Sequence, residues 1–157
     1  MSYISRDEIH GVLIQSGPEK ILLPNATVAE VTSRVSIDSA TQGQPNWVIG
    51  HIAWYGWNVP LISFARYTRL GDDIIDSNNK VIILKALSGR QSLPYWALVT
   101  GSFPQLVSIS RDGLLADASE DALPKGVHMR VLLADQHVLV PDLDHLENAL
   151  FAVVAHH

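Results

Sequence analysis

The sequence predicts an all-β fold: two small five-stranded antiparallel barrels, one short helix near residues 27–32 and a C-terminal helix near 143–154. Two observations carry this. One phrase occurs three times, an apolar strand, a short polar turn and a second apolar strand that ends in Leu-Pro or Val-Pro. About ten β-rich runs, bounded by turn residues, fall into two sets of five on either side of a polar stretch at 69–79. Closing each set on itself would remove the exposed edges that short strands otherwise present.

The first hairpin joins Val12–Gln15 to Lys20–Leu23 through Gly17-Pro18, and Pro24 ends it because proline cannot donate to a ladder. Thr27 can then cap a brief helix, with Glu30 three residues on as the capping-box partner. On such a turn Val28 and Val31 share one side. A strand is expected over Ser33–Ile37 and a loop over Asp38–Asn46. The second hairpin pairs Trp47–Trp54 with Val59–Phe64 around Gly56, where a turn calls for positive φ. Strands follow at Lys80–Leu87, Tyr95–Gly101 and Leu106–Ser110, and a long loop at Arg111–Gly126. The third hairpin is His128–Ala134 with His137–Val140. Asp142 can cap the last helix, in which Leu143, Leu146, Leu150 and Val153 fall on one face. The lobes are expected at about 10–70 and 80–140 within a single domain, with the C-terminal helix over 142–155.

Composition narrows the function. The chain has 157 residues, 47% of them apolar, which supports a real core. Its formal charge is -5 and no basic block occurs, so a nucleic-acid footprint is not expected. No apolar run approaches the roughly 20 residues that span a bilayer. The N-terminal residues are polar, and a cytoplasmic location without membrane insertion is the expectation. There is no cysteine, hence no thiol catalysis and no thiolate metal site. Phosphate-loop and nucleophile-elbow motifs are missing. Asp72, Asp73 and Asp76 lack calcium-loop spacing and read as an acidic solvated turn. His128 and His137 could face each other across the third hairpin, but spacing suggests no third ligand. No catalytic, cofactor-binding or metal-binding residue is assigned, and no enzyme is expected.

Trp54-Tyr55-Gly56-Trp57, with Trp47 upstream, is open to two readings: all of these aromatics pack into the cores of the two lobes, or at least one anchors a partner-binding face. Successive strand side chains alternate faces, so Trp54 and Tyr55 cannot enter the same core. An exposed aromatic suits a partner-binding face.

The segment Ile49–Ile62 resembles the CheW-like coupling proteins of bacterial chemosensory systems. Gly50, Ile52, Gly56, Val59 and Pro60 match that family's Gly-Val-Ile-Asn-Leu-Arg-Gly phrase and the Pro strand after it. Ile21–Val31 resembles its opening strand and Pro-x-x-x-Val-x-x-Val run. Residues 97–109 are similar to its next hairpin, and 126–150 to its closing hairpin and helix. The resemblance implies two intertwined five-stranded barrels and no catalysis. It implies an adaptor between chemoreceptor tips and a CheA-type histidine kinase, nearest to the ChpC-like members that serve type IV pilus twitching. Tyr55 stands where the family has arginine, Ala53 where it has asparagine, and Ser63 and Gly101 where it has aspartates. The partner-binding residues expected are Val28, Val31, Trp54, Tyr55, Gly56 and Trp57. A small-molecule-binding β-barrel sensor, its pocket lined by the aromatics, is the alternative.

Overall fold

Three strands carry apolar residues in unbroken runs instead of alternation: Ile21-Leu22-Leu23, Val81-Ile82-Ile83-Leu84 and Trp96-Ala97-Leu98-Val99. Such runs mark strands buried on both faces. In the computed structural model, which describes residues 8–33, 36–76, 79–110, 114–116 and 122–154, that is their position. Val81, Ile83, Ala97 and Val99 enter one core, while Ile82, Leu84, Trp96 and Leu98 enter another. Ile21 and Leu23 join the second of these, and Leu22 faces a third.

The strands are β1 (Glu8–Ser16), β2 (Glu19–Pro24), β3 (Val28–Ser33), β4 (Asp38–Ser39), β5 (Val48–Trp54), β6 (Trp57–Ile62), β7 (Lys80–Lys85), β8 (Tyr95–Thr100), β9 (Gln105–Ser110), β10 (Leu114–Ala116), β11 (Val127–Leu133) and β12 (Gln136–Pro141). Helix α1 spans Phe64–Thr68 and α2 spans Leu143–Val154. One six-stranded sheet runs β10-β11-β12-β2-β1-β9 and the other β3-β7-β8-β6-β5-β4. Each draws strands from both sides of the 69–79 stretch, so the two are intertwined. Among the described residues two pairings are parallel, β12 with β2 and β6 with β8. These long-range contacts stitch the hairpins into sheets.

The all-β class holds, and several details differ from expectation. Among the described residues neither sheet closes its ladder into a barrel. The second sheet curls, so that Trp54 on β5 donates its indole N–H to Glu30 on β3 at 2.6 Å, although β7, β8 and β6 lie between them in the ladder. A side-chain bond thus bridges what the ladder leaves open. The helix expected near 27–32 is a 3-10 turn at Asn25–Thr27 followed by β3. The Thr27 hydroxyl donates to the Pro24 carbonyl at 2.7 Å instead of capping a helix, and the Glu30 carboxylate is engaged by Trp54. Val28, Val31 and Thr32 are β-branched and suit a strand. Of the strand expected over Ser33–Ile37, residues 34 and 35 lie outside the described residues, and Ile37 lies outside any strand. The two long loops each contain a short strand, β4 and β10. Helix α1, unforeseen, starts where the Ser63 hydroxyl accepts from the Arg66 amide at 3.2 Å.

The largest core lies between the sheets. It gathers Val12, Ile14, Ile21 and Leu23 from one, Val48, Ile62, Ile82, Leu84, Trp96 and Leu98 from the other, with Phe64 of α1 and Leu146 and Leu150 of α2. Asp142 caps α2 as expected, accepting from the His145 amide at 3.0 Å. Buried Glu147 ties this helix to the β7–β8 loop. Its carboxylate accepts from the Leu87 and Ser88 amides at 2.6 and 3.1 Å and from the Trp96 indole at 3.1 Å. Asp73, expected in a solvated turn, is only 5% exposed. It accepts from the Ser16 and Ser63 hydroxyls at 2.7 and 2.6 Å and from the Gly17 amide at 2.8 Å. One carboxylate therefore pins the β1–β2 turn, the start of α1 and the polar stretch together.

Candidate partner-binding surface

The β5–β6 hairpin is as tight as two strands allow. Trp54 pairs with Trp57, leaving Tyr55 and Gly56 as the whole loop, at φ 46° and 82°. Positive φ at both positions is the sign of a type I′ turn, whose twist matches that of the strands. Asn or Gly is the ordinary first residue. Tyrosine there carries a steric cost of about 1–2 kcal/mol. The strained side chain is not buried in compensation, being 80% exposed. A backbone outlier of this kind, at an exposed tip, points to function.

Tyr55 is anchored from below. Its ring meets Trp54 edge-on at 5.0 Å between centroids. Trp54 in turn meets Tyr95 at 4.9 Å, and Tyr95 meets Trp57 at 5.9 Å. Edge-to-face packing of this kind holds rings in fixed orientation. The Glu30 carboxylate fixes the Trp54 indole. Trp57 remains 46% exposed, so the patch presents Tyr55 and Trp57 over a supported base. Tyr95 was not foreseen. It arrives through the parallel β6–β8 pairing, a contact with no local signal in the sequence.

The structure brings Trp54, Tyr55, Gly56 and Trp57 together and sets Val28 and Val31 apart. Val28 pairs with Leu84 and Val31 with Ile82, both of which face the central core. A bulge between Val28 and Glu30 restores a common face to two residues three apart in a strand. The aromatics follow the opposite register, with Ile52 and Val59. Val28 is partly buried against the central core, and Val31 is 43% exposed.

His137 pairs with Leu132, not His128, so these two histidines do not face each other across the hairpin. Among the described residues no group of three or more His, Asp or Glu is gathered as metal ligands. Among the same residues no helix is long and apolar enough to cross a membrane.

Two six-stranded sheets share one central core, and the chain crosses between them. The CheW-like domain model matches residues 10–150, and the chain belongs to that family. It is similar to the crystal structure of the scaffolding protein TtCheW from Thermoanaerobacter tengcongensis, with a TM-score of 0.69 over 86% of this chain and 89% of that one. The two are 18% identical, so the likeness is one of fold. No curated protein matches the chain significantly.

Proposed function

We propose that this protein is a cytoplasmic, non-catalytic adaptor that couples chemoreceptor tips to a CheA-type histidine kinase, in a chemotaxis or type IV pilus twitching system. Membership of the CheW-like family supports the class. The observation that carries the partner face is Tyr55, held at positive φ and 80% exposed on an aromatic base. A rigid aromatic anchor loses little entropy on binding. Val31 offers an apolar contact on the other side of the same sheet, and Val28 supports it from the core. The adaptor's output is coupling free energy: it holds two partners in one geometry and changes each one's affinity for the other.

The test uses the purified chain with a CheA-type kinase and a receptor cytoplasmic fragment from the same cell. Wild type is expected to bring both into one complex. Tyr55→Ala is expected to weaken at least one partner by about thirty-fold, the size of a 2 kcal/mol hot spot. Its melting temperature should fall by no more than a few degrees, because the side chain is 80% exposed and only its edge contact with Trp54 is lost. Assembly of the complex by Tyr55→Ala at wild-type affinity would remove this face from the proposal. Failure of wild type to bind either partner would remove the proposal itself.

A further inference from the structure

A second site lies away from the aromatic tip. The β4–β5 connection, the C-terminal end of α1 and the chain entering β11 enclose a cleft of about 490 Å³. Its size falls within the range of small-molecule pockets. Trp47 and Tyr67 form an aromatic corner, their rings edge to face at 4.9 Å. Pro45 and Pro124 line the cleft with them, and Arg66, Arg69 and Lys125 supply the charge. No carboxylate lines the cleft among the described residues, in a chain where 16 acidic residues outnumber 11 basic ones.

The three cations are not equivalent. The Arg66 guanidinium is committed: it bonds the Asp72 carboxylate at 2.5 Å and the Asn46 carbonyl at 3.1 Å, and so builds a wall. Arg69 and Lys125 are exposed, and the Lys125 ammonium lies 5.7 Å from the centre of the Tyr67 ring. Nearby Asp142 is occupied with capping α2, and the Tyr67 hydroxyl is bonded to the His145 ring at 2.5 Å. Tyr67 itself is buried and braces the half-buried Trp47 ring, so the open side of the cleft presents Trp47, Arg69 and Lys125.

We propose that this cleft binds a small planar anion, an aromatic or heteroaromatic ring bearing a carboxylate or a phosphate. The ring packs on Trp47, which Tyr67 braces from behind, and the anionic group lies between Arg69 and Lys125. The cleft is bounded by α1, which follows the second sheet, and by the chain entering β11 of the first. A ligand there touches α1 and the β4–β5 connection of the second sheet and the connection that leads into the first, and can bias how these segments sit against each other. The site is independent of the adaptor reading, since it shares no residue with the β5–β6 tip.

The test titrates the full chain, with indole nitrogens labelled, using benzoate, phenyl phosphate and the neutral benzamide at constant ionic strength. The Trp47 indole resonance, assigned with Trp47→Phe, is expected to shift saturably with an anion and at least five-fold more weakly with benzamide. A stronger response to benzoate assigns a carboxylate, and a stronger response to phenyl phosphate assigns a phosphate. Arg69→Gln/Lys125→Gln is expected to lose about five-fold or more in affinity at unchanged melting temperature. Should that variant melt lower, sodium chloride provides the second measurement, because it must weaken wild-type binding of the anions and leave benzamide unaffected. Equal response to benzamide, a shift linear to the highest concentration, or anion binding insensitive to salt and to the double substitution overturns the proposal.

Discussion

Gly56 and Gly50 lie six residues apart in one hairpin and constrain the chain in different ways. A Cβ on Gly56 would meet nothing within 4 Å, so only its φ of 82° resists substitution. Gly56→Val is expected to cost about 1 kcal/mol, or about 2–4 °C in melting temperature. A Cβ on Gly50 would lie 1.9 Å from the Asp38 carbonyl oxygen. Gly50→Ala must push β4 away, and thermal melting should show a loss several times that of Gly56→Val. A melting temperature for Gly56→Val within a degree of wild type would contradict the turn geometry. Tyr67 makes a prediction in pH. Burial, and then the Asp142 charge, raise its hydroxyl above the ordinary value of 10.0. The folded state therefore holds this proton more tightly than the unfolded chain does. Its contribution is complete below pH 10 and is lost as pH rises through the folded value. Tyr67→Phe should flatten that alkaline decline in denaturant-measured stability, although it also removes the bond to His145.

Most elements made of local contacts were legible in the sequence, the five-residue α1 excepted, and pairings between distant segments were not. The three hairpins follow from turn residues between apolar runs, and α2 follows from Asp142 and the leucine spacing. The segment 27–32 shows the limit. Thr27 and Glu30 fit a capping box, but the structure gives both side chains other partners, one of them on a strand 24 residues away. A still longer separation in sequence hid Tyr95 from the aromatic patch, while Trp54, Tyr55 and Trp57 were visible because one turn gathers them. Burial of Asp73 was hidden too, since its two serines come from opposite sides of the first sheet-to-sheet crossing. Glu147 is the element-scale test. Glu147→Ala would leave two backbone amides and the Trp96 indole without their acceptor. Unmet buried donors cost about 1–3 kcal/mol each. A fall of about 10 °C in melting temperature is expected, with the near-ultraviolet signal of Trp96 altered before the global transition. Unchanged melting would mean that α2 docks through its leucines alone.

At the scale of the whole molecule, the feature with most consequence is the core that both sheets share. Residues 1–76 hold β1 to β6, and residues 77–157 hold β7 to β12. Cutting the backbone between them would leave β3 without β7, β6 without β8 and β2 without β12. Neither piece retains a complete sheet, and each exposes half of the central apolar surface. Expressed apart, each is expected to lack a cooperative melt by circular dichroism; mixed, they should recover the native tryptophan spectrum. A fragment that melts cooperatively by itself would show that the sheets are independent. Split at this point, the chain would make a complementation pair: two inert halves, fused to any two molecules, would regain fold and fluorescence only where those molecules meet.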